Sequence, residues 1–227
     1  MAFLKNVDAF LGTGEANAQG QDLKTFLAGY DPKKFDCPSN TVDIIVLQPT
    51  GTVKSTETAY RLLMIRRGNH PCIGEWALPG GFVDIRENLE AAAKRELEEE
   101  TGVKGIPLFQ MRTWGDAKRD PRWRIITTSY LAVVDKDIPV RAGDDAADAL
   151  WMDVSLALSG KRGKTADYKL SLNNQERNIA VWALIREKTR KQGVLVSTEY
   201  AVTESNGIAM DHGAIITQAL VWLGSQS

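Results

Sequence analysis

Apolar residues recur along this chain at helical spacing in some stretches and in alternation or short unbroken runs in others. Phe3, Leu4, Val7, Phe10 and Leu11 fall on one face of a short helix over 3–11. Gly12 to Gly20 is small and polar, a loop. Asp22 to Tyr30 reads as a second helix with Asp22 as its N-cap. Asp31-Pro32 ends it, because proline disfavours helical backbone at the preceding residue. The aromatic stripe of these two helices is expected to be a packing or dimer surface rather than a ligand site.

From residue 40 the pattern changes. Val42 to Leu47 and Tyr60 to Arg66 are Val-, Ile- and Leu-rich runs separated by a polar loop, Thr50 to Glu57, which predicts a strand pair. Trp76 to Leu78 predicts a short strand. Leu89, Ala92, Ala93 and Leu97 recur at spacings of three and four, with Asn88 before them as N-cap and Gly102 after them as C-cap. Ile106 to Thr113, Arg124 to Val134 and Leu150 to Val154 read as strands, with a loop over Ala142 to Ala149. Ser159 to Lys164 is basic and glycine-rich, a mobile loop by composition. Tyr168 to Leu172 alternates. Glu176 to Lys188 carries both helical propensity and alternation. Strand is favoured because Arg190-Lys191-Gln192-Gly193 makes a turn and Val194 to Val202 alternates clearly. Asp211 caps a last helix, Gly213 to Leu223. The expectation is an α/β/α sandwich with a mixed β-sheet over 40–227, a helical extension over 1–39 and a hairpin insertion over 166–204.

The chemistry concentrates on the helix after Asn88. Glu96, Glu99 and Glu100 lie at i, i+3 and i+4, so three carboxylates share one face. Like charges so spaced repel by a few tenths of a kcal/mol per pair, and by more when partly buried. Arg95 relieves part of this through Glu99, its i+4 neighbour. Leu78-Pro79-Gly80-Gly81 precedes the helix, and glycine lets a backbone carbonyl approach an ion or phosphate. Most charge runs are solvated faces. A glycine corner beside aligned carboxylates is also how a site for a hard divalent cation is built.

Gly81, five residues, Glu87, seven residues, then Arg95-Glu96-Leu97-x-Glu99-Glu100-x-Gly102-Val103 resembles the signature box of the Nudix hydrolases at every defined position. Flanking segments resemble the ADP-ribose pyrophosphatase-type branch: Leu63 to Pro71, Trp76 to Asp84, Gly115-Asp116-x-x-Arg119-Asp120-Pro121-Arg122 and Ala209-Met210-Asp211-His212. The resemblance implies an α/β/α Nudix fold and metal-dependent hydrolysis of a nucleoside diphosphate linked to another moiety. ADP-ribose, cleaved to AMP and ribose 5-phosphate, is the expected substrate. It also implies Mg2+ or Mn2+ held by Glu96, Glu99, Glu100 and the Gly80 carbonyl, with Glu87 and Arg95 orienting the carboxylates. The general base would be a box glutamate, Asp116 or Asp120. Arg66, Arg67, Arg119 and Arg122 are candidates for the diphosphate, since guanidinium suits its oxygens. Trp114 and Trp123 are candidates for stacking on the base. His70 and His212 read as turn and cap residues rather than acid–base groups. The flanks also resemble Nudix-like regulators that sense ADP-ribose, which keeps a non-catalytic reading as the alternative.

Composition narrows the partners. The 227 residues carry a formal net charge of −1, which gives no electrostatic case for nucleic acid or an anionic membrane. Two cysteines, Cys37 and Cys72, make neither a disulfide framework nor a metal pattern. There is no membrane-length apolar run and no signal-peptide pattern at the start. A cytoplasmic homodimer is expected, the dimer from the helical pair and the hairpin arm.

Overall fold

A computed structural model describes residues 3–50, 59–134, 138–143 and 146–226. The chain forms two compact units, residues 1–37 and residues 38–227. In the first, Asp22 caps α1 (Leu23–Gly29) by accepting a hydrogen bond from the Thr25 amide. The helix expected over 3–11 is absent. Only a 3-10 turn, Asp8–Phe10, forms there, and Phe3, Leu4, Phe10 and Leu11 are exposed. So short a segment cannot sustain a helix without a face to bury.

The second unit is built on one sheet. Its strands are β1 (Ser39–Pro49), β2 (Tyr60–Arg67), β3 (Trp76–Ala77), β4 (Gly80–Phe82), β5 (Phe109–Trp114), β6 (Ile125–Val133), β7 (Ala146–Arg162), β8 (Thr165–Asn174), β9 (Ile179–Gln192) and β10 (Leu195–Asn206). The order is β10-β9-β8-β7-β2-β1-β6-β5, with β3 on β2 and β4 on β1. β1 and β6 run parallel, while the other pairs are antiparallel, so the sheet is mixed. The loop expected over Thr50 to Glu57 falls mostly outside the described residues.

β1 is apolar without alternation because both of its faces are covered. Val42, Ile44 and Val46 join Ala92, Ala93 and Leu97 of α2 (Leu89–Thr101) in one core. Ile45 and Leu47 join Ala214, Ile215, Ile216 and Ala219 of α3 (His212–Gly224) in another. Helices on opposite faces of one sheet make the α/β/α sandwich. Gly213 lets α3 settle on β9, where a Cβ would lie 3.0 Å from that of Ala183. Arg112 on β5 donates to the Thr198 carbonyl on β10. The two ends of the sheet order therefore meet, and the sheet curls around α3.

Three expectations change. Residues 146–149 are strand rather than loop, because Ala146 and Asp148 pair with Arg67 and Arg66. Residues 159–162 are also strand, and the chain turns at Gly163-Lys164 with Gly163 at φ +58°. The hairpin expected over 166–204 is instead three strands, β8 to β10, of a four-strand meander, β7 to β10, continuous with the main sheet. Leu170, Leu172, Ala183 and Ile185 of that meander are fully buried in the α3 core. Among the described residues no helix is long and apolar enough to cross a membrane.

The meander should therefore share in global stability. Ile44→Ala and Leu172→Ala should each cost about 2–5 kcal/mol in urea unfolding, within one transition. A loss below about 1 kcal/mol for Leu172→Ala would mean the meander is not part of the core.

Candidate active site

The glycine corner is locked by sterics and backbone pairing. Gly80 and Gly81 pair with Asp43 and Val42 of β1, and the Ile44 amide donates to the Pro79 carbonyl at 2.8 Å. A Cβ on Gly80 would lie 2.0 Å from the Val42 carbonyl oxygen. A Cβ on Gly81 would lie 2.4 Å from the Glu96 carboxyl carbon. At Gly80 the backbone of β1 leaves no room for a side chain, and at Gly81 a side chain would displace the Glu96 carboxylate.

α2 ends as expected, with Gly102 left-handed at φ +73° and its amide donating to the Glu98 carbonyl. Asn88 stands at the N-cap but makes no capping hydrogen bond. Arg95 holds the acidic face together. It forks onto Glu87 at 3.0 and 2.9 Å, reaches Glu96 at 2.7 Å and Glu99 at 2.9 Å, and donates to the Phe82 carbonyl at 2.9 Å. These bonds hold the Arg95 pKa well above its ordinary value and, acting back on Glu87, hold that carboxyl below its own. Glu100 is placed differently. Burial pushes it up to about 8, helped by the charges of Glu96 and Asp43 and opposed by the Gly80 amide and Arg67. The Gly80 amide donates to its Oε2 at 2.8 Å.

A cavity of about 390 Å³ opens over this corner, lined by Gly80, Gly81, Glu96, Glu100 and Arg95 and also by Arg67, Arg119, Asp120 and Arg122. Three cationic candidates reach it: Arg67, Arg119 and Arg122. Two of them are already engaged. Arg119 forks onto Asp211 with both bonds at 2.8 Å and lies 3.7 Å from Asp43. Arg122 forks onto Asp120 at 3.1 and 2.8 Å and lies over the Phe82 ring at 5.3 Å. Arg67 Nε donates to the Pro71 carbonyl at 2.7 Å.

Other expected site residues lie elsewhere. Arg66 donates to the Gly74 carbonyl and does not line the cavity. Trp114 is a core residue whose indole N–H donates to Ser129 Oγ at 3.2 Å, so it cannot stack on a ligand here. Trp123 is 54% exposed and outside the cavity lining. Glu99 is half-exposed on Arg95 and is also outside the lining. Asp116 caps its own turn through the Lys118 amide. His70 and His212 both line the cavity. His212 is buried and accepts the Leu78 amide hydrogen bond, fastening α3 to the chain after β3. Asp211 sits at the N-cap of α3 without a capping bond, its carboxylate being committed to Arg119.

Asp43 escaped the reading of the sequence. It is 7% exposed, it lines the cavity, and its Oδ2 has no hydrogen-bond partner among the described residues. The signal was a lone carboxylate in the apolar run Val42-Asp43-Ile44. Asp43, Glu96 and Glu100 together are a hard-oxygen donor set under electrostatic strain, which suits a divalent cation. Among the described residues no three such side chains already converge as a cage. Glu96 and Glu100 instead lean on Arg95 and the Gly80 amide.

A family model for the NUDIX domain matches residues 39–172, more than half of the chain. The chain belongs to the Nudix family. One relative is the ADPR responsive transcriptional repressor NtrR of Acinetobacter baylyi, 30% identical over 77% of this chain and 65% of its own length. Another is the ADP-ribose pyrophosphatase of Methanocaldococcus jannaschii, 39% identical over 42% of this chain and 56% of its own. The chain thus spans less than two thirds of either relative. Among solved structures, a MutT/nudix family protein from Enterococcus faecalis matches 90% of this chain and 70% of its own, with 27% identity and a TM-score of 0.66. The NUDIX domain of Shewanella oneidensis NrtR, solved with ADP ribose, matches 58% of this chain and 82% of its own, with 31% identity and a TM-score of 0.51.

Two consequences of this Nudix site are measurable. Arg119→Met would leave Asp43 and Asp211 facing each other without their cation, so stability should fall by about 3–5 kcal/mol in denaturant titration. A loss below about 1 kcal/mol would show that Arg119 is not the tie between the 115–124 loop and α3. For Asp120, burial raises the carboxyl pKa, but the hydrogen bonds and charge of Arg122 outweigh it and hold it below 3.8. Its stabilisation is therefore complete above the unfolded value and is lost as pH falls through the lower folded value. Asp120→Asn should be less stable than the parent at neutral pH, and the two should converge in acid well below pH 3.8. A gap that persists there would sink this reading.

Proposed function

We propose that this Nudix protein hydrolyses the diphosphate bond of a nucleoside diphosphate joined to another moiety, with ADP-ribose as substrate and AMP and ribose 5-phosphate as products. The observation that carries this is the pairing of Glu96 and Glu100 with the Gly80-Gly81 corner inside a cavity faced by Arg67. The pyrophosphatase from Methanocaldococcus and the ADP-ribose-bound Shewanella domain favour ADP-ribose over other nucleotide sugars.

Glu96, Glu100 and the Gly80 carbonyl, with Glu99 beside them, would hold Mg2+ or Mn2+, which when bound neutralises phosphate charge and lowers the pKa of a coordinated water. The chain itself supplies positioning. Arg95 keeps Glu96 and Glu99 in fixed rotamers against their mutual repulsion. Arg67 offers its remaining guanidinium N–H groups to the diphosphate. Arg119 and Arg122 also line the cavity, their forks being spent on Asp211 and Asp120. With Asp116 off the cavity and Asp120 bound to Arg122, the box glutamates remain as the base for the attacking water. Water adds to one phosphorus as the P–O–P bridge breaks, giving two monophosphates.

A second reading rests on one observation: the Acinetobacter relative that aligns with 77% of this chain is a repressor. On that reading ADP-ribose is bound and not cut, and the expectation of no nucleic-acid partner fails. One experiment separates the two. Phosphomonoester release from ADP-ribose with Mg2+ should be measured beside ADP-ribose binding, for the parent and for Glu96→Gln. The variant should keep binding and lose at least about a hundredfold in kcat. Tight binding by the parent without turnover would overturn the hydrolase in favour of the sensor.

A further inference from the structure

The far ends of β7–β8 and β9–β10 form a pair of adjacent tips. Each turns through two residues, Gly163-Lys164 and Gly193-Val194, with glycine at φ +58° in the first position, the pattern of tight type II′ hairpins. The tips are neighbours, since Thr165 pairs with Lys188 and the Thr189 amide donates to the Lys164 carbonyl. Beyond Val154, among the described residues, β7 pairs with β8 and no longer with β2, so this end of the meander extends past the β2 ladder.

Charge and apolarity meet there. Residues 159–166 and 188–196 contain Lys161, Arg162, Lys164, Lys188, Arg190 and Lys191 and no acid. All six are exposed, and among the described residues Arg190 alone of the six is in an ion pair, with Glu199. The near-zero net charge of the chain hides this local excess. At the apex Val194 is 95% exposed, Leu195 71% and Val196 62%. Three consecutive aliphatic residues left in water mark a contact surface.

We propose that these tips dock on an anionic lipid surface. Aliphatic side chains at a turn can enter the boundary between headgroups and acyl chains while flanking lysines and arginines meet lipid phosphates and carboxylates. A second copy of the chain fits less well, because two such tips would bring like charges together. Nucleic acid would use the cations but leave the aliphatic apex without a role, since readout there is by polar and planar groups.

The test is flotation of the full chain with vesicles of phosphatidylcholine alone or with about 30% phosphatidylserine. The parent should partition at least about tenfold more onto the anionic vesicles, and less as salt rises. Val194→Asp with Leu195→Asp, and separately Lys161→Gln with Arg162→Gln and Lys164→Gln, should each cut that binding about tenfold or more. Unchanged thermal unfolding shows that the variants fold. Equal binding to both vesicles, no binding by the parent, or full binding by either variant overturns the proposal. A salt-sensitive shift of duplex DNA without vesicle binding would overturn it in favour of nucleic acid. A dimer in solution lost in the Asp variant, again without vesicle binding, would overturn it in favour of self-association.

Discussion

The site depends on one guanidinium. Arg95 makes five hydrogen bonds, four to the carboxylates of Glu87, Glu96 and Glu99 and one to the Phe82 carbonyl. Without it, acids packed at adjacent turns of α2 would splay toward solvent, since each like pair repels and long side chains are free to move apart. With it, the acidic face is tied to the loop that carries Glu87 and to the strand that carries Phe82. The helix and the glycine corner thereby become one rigid object. Lysine could not do this, because a point charge lacks the planar fork that reaches several partners at once.

Glu100 is handled in the opposite way. The charge of Arg67 does not offset its burial against the Gly80 amide, and Glu96 and Asp43 are close enough to disfavour its ionised form. That arrangement is costly for a carboxylate standing alone and reasonable for one that meets positive charge during function. Asp43 is a milder case, since its Oδ2 lacks a hydrogen bond among the described residues but lies 3.7 Å from Arg119 inside an otherwise apolar strand. Both carboxylates line the same cavity.

What could be read from the residues follows from where each one finds its partners. α2 was legible because its core stripe, its glycine cap and its acids are all local, within one helix of thirteen residues. β1 was legible because burial on both faces leaves an unbroken apolar run. The 159–162 end of β7 and the 190–192 end of β9 were not, because basic residues beside glycine there look like loop or turn, whereas β10 was marked by its alternation over 194–202. The helix expected at 3–11 shows the converse error, in which a short periodic apolar pattern forms only a 3-10 turn and its large apolar side chains stay exposed. The candidate site divides on the same line. Glu96, Glu100 and Gly80 were marked by spacing, whereas the commitment of Arg119 depends on Asp211, 92 positions away. Trp114 stood as a candidate for stacking because its partner Ser129 is set by strand register that the residues alone do not reveal.

α3 joins these separate features. It is apolar on nearly every side, so a flat sheet could not cover it. The meander supplies the missing wall, and the Arg112–Thr198 bond closes the wrap from the other end. Once wrapped, α3 has a fixed start, and that start carries His212 into the cavity lining and holds Asp211 against Arg119, which also lines it. Asp211 then fixes Arg119, and His212 fixes the backbone just before the glycine corner. The meander thus reaches the candidate site without touching it, by determining where a helix begins. A change in how β8 and β9 pack on α3 would be felt at Leu78 and Arg119 before it was felt at any carboxylate of the box.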